Sequence, residues 1–344
     1  MRYIGVIFVF VIFCVALSLF FESCSKTDIY KATVVPFETP EGFPQPAYSF
    51  ANNPITKEGF ELGKKLFYEG RLSQDGNYPC GSCHQPIAAF TTYQHDLSHG
   101  FNHSHTTRNA PGLANLAWYM AYKQDGSAKD IETVSLDHIN SVIDMGGNMD
   151  AVVNKLRTDS TYKRLFKEAY GDERINSQRL LKALSQFVVS LVSSNSKYDR
   201  VIKKQEVFTT QEQSGYIQFK QSCASCHSEP LFTDLSYRNI GLLKSDFLND
   251  VGRMKVTGNN ADSLKFRVPG LRNVSATSYY THDGRFSTLK NMINHYRTGI
   301  VQSATLDPLL KNGIALSDTQ VDELIAFLKT LTDSSFLKNP RFQK

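Results

Sequence analysis

The pentapeptide Cys80-Gly-Ser-Cys83-His84 returns in the same form as Cys223-Ala-Ser-Cys226-His227. Cys-x-x-Cys-His is the attachment signature of a c-type haem. Two thiols add across the vinyl groups of the porphyrin, and the next histidine is held against the iron. A chain carrying the signature twice must fold around two large flat cofactors, and it is built to move electrons. A bare Cys-x-x-Cys would suit a redox dithiol or half of a zinc site. The trailing histidines and the lack of a third cysteine pair argue against both. The remaining cysteines, Cys14 and Cys24, lie in the N-terminal segment, so no structural disulfide is expected in the body.

At 344 residues the chain is long enough for two domains with their own cores. Residues 3–21 are almost entirely apolar between Arg2 and Glu22, the pattern of a secretory signal or a membrane anchor. The following Phe21-Glu22-Ser23-Cys24 resembles a bacterial lipoprotein cleavage site. Residues 1–23 are therefore read as a lipoprotein signal or anchor, with Cys24 lipidated; an uncleaved spanning helix is the other reading. Both place the body on the periplasmic side of a bacterial membrane. Residues 24–48, with Pro36, Pro40, Pro44 and Pro46, read as an extended tether.

An internal repeat follows. Gly63-x-x-x-Phe67 leads into the first haem motif and Gly215-x-x-x-Phe219 into the second. Leu180, Leu181, Leu184, Phe187, Val188, Leu191 and Val192 mark a helical face between them. Ser317-x-x-Gln320 opens another helix as a capping box. Strand-like alternation is scarce. The expected fold is mostly α: two cytochrome-c-like haem domains with long loops, an N-terminal one over 49–205 and a C-terminal one over 206–344. The net charge of +5 is scattered, with no basic stripe of the kind nucleic acid requires.

With both motifs placed, the chain resembles the bacterial di-haem cytochrome c peroxidase family, the group that includes MauG. The supporting stretches are Arg108-Asn-Ala-Pro111-Gly-Leu-Ala-Asn115, Gln124-Asp-Gly126, the helix from Ala183 to Arg200 ending in Tyr-Asp-Arg, Val268-Pro-Gly-Leu-Arg-Asn273, Tyr280-Thr-His-Asp-Gly-Arg285 and Leu316 to Thr332. The resemblance implies two covalent haems with different work. His84 would be the proximal ligand of an N-terminal haem where peroxide is cleaved, and His227 that of a C-terminal electron-transfer haem. The implied activity is that of a cytochrome-c peroxidase, reducing hydrogen peroxide with electrons from a small cytochrome c or cupredoxin. Two other readings stand beside it: a MauG-like oxidase acting on a protein or peptide partner, and a non-catalytic di-haem electron carrier.

The family's sixth ligand to the second haem is a methionine seven residues after a leucine; counting from Leu289 reaches Tyr296. MauG also has tyrosine there, and a phenolate favours ferric iron. Met292 and His295 are the rival ligands. For peroxide cleavage the family uses a glutamate before a methionine as general base. Asp144-Met145 corresponds, with Val134 where the family has a glutamine and with Glu132 and His138 as polar substitutes. Phe101 stands where some members carry a haem-capping histidine, which implies an open first haem; His99, His103 and His105 are the alternative caps. Gln124 replaces the family's inter-haem tryptophan, and Trp118, the chain's one tryptophan, is nearby. The resemblance further implies a calcium ion at Asn109 with carbonyls near Arg267 and Pro269, haem propionates on Arg108 and Arg272, and a possible homodimer.

Overall fold

Two helix crossings, each made possible by a glycine, form the frame of the protein. The computed structural model describes residue 30 and residues 32–344. The apolar N-terminal segment, Cys14 and Cys24, on which the signal and lipidation readings fall, lie outside the described residues. The helices in chain order are α1 (Lys57–Phe67), α2 (Cys80–Cys83), α3 (Ile131–Asn140), α4 (Met149–Arg157), α5 (Ser160–Tyr170), α6 (Ser177–Val189), α7 (Lys197–Ile202), α8 (Thr210–Ser222), α9 (Met254–Thr257), α10 (Leu289–Asn294), α11 (Asp318–Lys329) and α12 (Ser334–Leu337). One short antiparallel pair, β1 (Tyr237–Arg238) and β2 (Phe266–Arg267), sets Tyr237 opposite Arg267. The expected mostly helical architecture is what the chain adopts.

In the first half α1 crosses α6; in the second, α8 crosses α11. A Cβ on Gly63 would sit 1.9 Å from the Ala183 carbonyl oxygen, and one on Gly215 would sit 2.0 Å from that of Glu323. The helices can approach this closely only because neither glycine has a side chain. One turn later the repeated phenylalanines meet their partners. Phe67 lies 5.0 Å from Phe187, and Phe219 lies 5.0 Å from Phe327, ring centre to ring centre. All four rings are buried, each worth about 1.5–3 kcal/mol in removed apolar surface. The Ser317/Gln320 capping box forms as expected at the start of α11, and equivalent boxes start α7 (Ser196/Asp199) and α8 (Thr209/Glu212).

The hydrophobic cores divide elsewhere than at the expected 205/206 boundary. The first core runs to Leu191 and takes back Phe336 and Phe342 from the C-terminus; the second spans Tyr198 to Leu331. The chain crosses between them at residues 192–197, where backbone donors need partners. Asp333 supplies them, accepting from the Ser194 and Asn195 amides and the Ser193 hydroxyl. Two asparagines meet at the same point. Asn115 exchanges hydrogen bonds with the Ser193 backbone, and Asn273 donates to the Ser193 hydroxyl.

Over residues 32–48 the tether reading needs correction. Phe37 stacks on Phe50 at 4.4 Å, and Phe37 and Phe43 flank Trp118 at 5.6 and 5.2 Å. The Trp118 indole donates to the Pro44 carbonyl at 2.7 Å. Aromatic side chains placed between the prolines turn this stretch into a strap on the first domain, and Trp118 is a core residue. No helix among the described residues is long and apolar enough to cross a membrane.

Candidate haem centres

Each haem motif closes one helical turn at the end of its leading segment. His84 donates its amide to the Cys80 carbonyl, and His227 donates to that of Cys223, both at 2.9 Å. This turn brings both thiols of a pair to one side, and all four are free. Burial pushes Cys80 and Cys223 up to about 12, so neither behaves as an activated thiolate.

The two histidines are oriented alike. The Nδ1 of His84 lies 2.7 Å from the Phe90 carbonyl oxygen, and that of His227 lies 3.0 Å from the Phe232 carbonyl oxygen and 3.1 Å from that of Pro269. Nδ1 is thereby the protonated nitrogen and Nε2 is left as a ligand atom, the arrangement a metal-bound imidazole requires. Burial lowers His84 to about 4, opposed by the Phe90 and Pro111 carbonyls, and lowers His227 in the same way. Neutral, oriented imidazoles beside paired free thiols fit covalent haem.

The orienting carbonyls were not found from the sequence. Phe90 and Phe232 both have left-handed backbone, φ 62° and 58°, a conformation costing about 1–3 kcal/mol. It turns each carbonyl towards the histidine, while each ring stays fully buried. A signal exists in the sequence: a Phe-Thr dipeptide follows each motif, and Pro-Gly-Leu-x-Asn follows later in each half, at Pro111 and Pro269. Those Pro-Gly pairs abut the residue before each phenylalanine, Ala89 in one half and Leu231 in the other.

Opposite the second motif the chain turns through a π-helical segment, His295–Gly299. Tyr296 lies in it, half-buried, and its titration is raised by burial and by the nearby Cys223 and Cys226 thiols. Among the described residues its hydroxyl has no hydrogen-bond partner. His295 is engaged elsewhere: its Nε2 lies 2.8 Å from the Ile240 carbonyl oxygen. The tertiary structure thus separates Tyr296 from one of its rivals.

Around the first motif, Asp144 and His138 form a pair, Oδ2 to Nδ1 at 2.8 Å. Burial alone would raise the Asp144 carboxyl, but His138 and Ser141 outweigh it and hold the group below its ordinary range. Asp144 and His138 both lie within electrostatic reach of His84. Glu132 is not part of this cluster; it accepts from the Tyr48 hydroxyl. Phe101 packs beside Gly146 and donates its amide to the Asp144 carbonyl. His99, His103 and His105 are exposed.

The two arginines expected at propionates both have protein partners. Arg108 bonds Asp250 through Nε and Nη2 and Asp125 through Nη1, at 2.6–2.9 Å. Arg272 grips both oxygens of Asp199 at 2.8 Å and donates Nε to the Pro230 carbonyl. Both forks are occupied, because each carboxylate is partly or wholly buried and needs a cation. Asn109 donates to the Asp96 carbonyl and accepts from Gln124 at its backbone oxygen. The Gln124 Oε1 is buried with no hydrogen-bond partner among the described residues, an oxygen free to meet a cation.

The family model described as di-haem cytochrome c peroxidase matches residues 57–207. The methylamine utilization protein MauG of Methylophilus methylotrophus is 31% identical over 309 residues, covering 88% of this chain and 89% of that one. The cytochrome c551 peroxidase of Nitrosomonas europaea is 32% identical over 286 residues, 82% of each chain. The crystal structure of a MauG-like protein associated with microbial copper homeostasis superposes with a TM-score of 0.82 at 30% identity, covering 90% of this chain and 99% of that one.

Proposed function

Because the chain belongs to the di-haem cytochrome c peroxidase family, we propose that it reduces hydrogen peroxide at a haem on Cys80, Cys83 and His84, supplied with electrons through a haem on Cys223, Cys226 and His227. The observation that carries this is the unlike environment of two like motifs. The second motif has the Tyr296 phenol nearby, with Met292 as its remaining rival; the first has the Asp144–His138 pair in its vicinity. A haem held by Cys80, Cys83 and His84 would supply the redox chemistry for O–O cleavage. Two electrons and two protons then convert one peroxide to two waters. Asp144, held ionised, takes the first proton from peroxide and returns it to the leaving oxygen. His138 positions that carboxylate. A small cytochrome c or cupredoxin is the donor. One calcium ion at Asn109 and Gln124 steadies the region between the motifs. Cys24 carries the lipid that holds the protein at a membrane.

A MauG-like reading, oxidation of a protein or peptide partner, is favoured by Tyr296 itself, since a phenolate ligand stabilises oxidised iron. Stopped-flow mixing of the protein with peroxide and a reduced carrier cytochrome separates the two. Rapid carrier oxidation supports the peroxidase. A high-valent spectrum that persists beside unreacted carrier supports the partner oxidase. A ferric spectrum with no high-spin component removes both and leaves an electron carrier. Tyr296→Phe should change the spectrum of the second haem alone; unchanged spectra at both haems would remove Tyr296 as a ligand.

A further inference from the structure

Residues 95–105 contain four histidines that the proposed chemistry does not use. Three of their rings are neighbours: His95 and His99 have ring centres 5.0 Å apart, and His99 and His105 have centres 4.7 Å apart. The backbone accounts for the closer pair. His99 and His105 face each other across an antiparallel bridge, flanked by hydrogen bonds from the Gly100 amide to the Ser104 carbonyl and from the Thr106 amide to the Ser98 carbonyl. That makes them a non-hydrogen-bonded cross-strand pair, the register in which side chains lie closest and on one face.

We propose that His95, His99 and His105 form a surface site for one divalent transition-metal ion of the kind that prefers imidazole. An imidazole nitrogen sits about 2.0–2.1 Å from such an ion, which puts the ring centre about 3.2 Å away. Two rings on one ion at 90–110° then have centres about 4.5–5.2 Å apart. Both observed separations fall in this interval. Among the described residues no three donors already converge on one point. The site therefore closes by rotation of exposed imidazoles on a backbone already in register. His99 is central, being the neighbour of both others.

The ribbon that carries the pair is fastened to the first haem motif. Thr92 donates its hydroxyl to the Cys83 carbonyl and bonds the Ser98 hydroxyl, and Cys83 Sγ lies 3.8 Å from the His99 carbonyl oxygen. An ion held here sits beside the first motif and not the second. The inference rests on the ribbon and stands whether or not peroxide is the substrate.

The test uses untagged protein with both haems attached, titrated with Cu²⁺, the ion that imidazole sites of this kind bind most tightly. Equilibrium dialysis and electron paramagnetic resonance should show one Cu²⁺ per chain with nitrogen hyperfine structure. His99→Ala should weaken binding about a hundredfold, and His95→Ala or His105→Ala about tenfold. His103→Asn, in the same loop but outside the three neighbouring rings, should bind as the parent does. Unchanged binding in His99→Ala, or an equal loss in His103→Asn, overturns the site. So does a Soret shift in His99→Ala without loss of Cu²⁺, which would assign that imidazole to the haem iron. A parent Soret band in the variants shows that the fold is intact.

Discussion

The two halves of the molecule share one plan and differ in what surrounds it. Each has a glycine crossing, a phenylalanine one turn later, a haem turn, a histidine turned by a left-handed phenylalanine, and a Pro-Gly-Leu-x-Asn segment. Asn115 and Asn273 even share their backbone, φ 62° and 63°, and donate their amides to Leu191 and Leu331 just beyond α6 and α11. The divergence lies in the side chains around the histidines. The first half has a carboxylate–imidazole pair; the second has a phenol whose hydroxyl has no hydrogen-bond partner among the described residues. Shared scaffolding with unshared surroundings is how one chain can hold two irons of the same attachment chemistry at different reactivity.

The largest test of that contrast is Asp144→Asn. Peroxide turnover should fall by about 10²–10⁴-fold, the usual loss of a positioned base, with the spectrum of the second haem unchanged. Undiminished turnover would remove Asp144 from the chemistry and with it the functional asymmetry.

Asp199→Asn probes an asymmetry of stability. Its partner Arg272 is 3% exposed in the side chain, and an unpaired buried guanidinium costs about 3–5 kcal/mol. Denaturant unfolding should show this loss in the second half. The acid limb should change too. Burial alone would raise the Asp199 carboxyl, but Arg272 and Ser196 hold it below its ordinary value. A depressed carboxylate stabilises the fold above its unfolded pKa of about 3.9, and that contribution disappears as pH falls through the folded value. The variant should therefore lose less stability than the parent on acidification below about pH 4. A parallel acid limb in both proteins would contradict the pairing.

Gly63→Ala and Gly215→Ala ask whether the halves are true copies. Each methyl group meets a backbone carbonyl that cannot yield cheaply, so each should cost about 1–3 kcal/mol, and the two costs should match. A crossing that accepts alanine without loss would show that the repeat is one of sequence and not of packing.

Much of this was legible in the chain. Covalent haem chemistry needs its residues within five consecutive positions, so both centres were readable at once. The Gly-x-x-x-Phe repeat and the Ser317 capping box were equally local. The ion pairs of Arg108 and Arg272 were not, because their partners lie far away: Asp250 is 142 residues from Arg108, and Asp199 is 73 residues from Arg272. The strap at Phe37 and Phe43 was hidden by its prolines, which suggest a free tether unless the Trp118 surface they cover is known. Phe90 and Phe232 were missed because they act through their carbonyls, which any residue possesses.

The order of residues alone determined that the chain carries two haem-attachment motifs and which cysteines and histidines make them up, since those groups form contiguous turns. Folding decided the remainder: that Tyr296 and not His295 is left unpartnered near the second pair of thiols, that Asp144 is held ionised by His138, and that three loop imidazoles stand at ion-sharing distance. Each of these depends on a backbone carbonyl, a charge or a facing strand brought close by the tertiary structure, and spacing along a chain does not specify what approaches it from elsewhere.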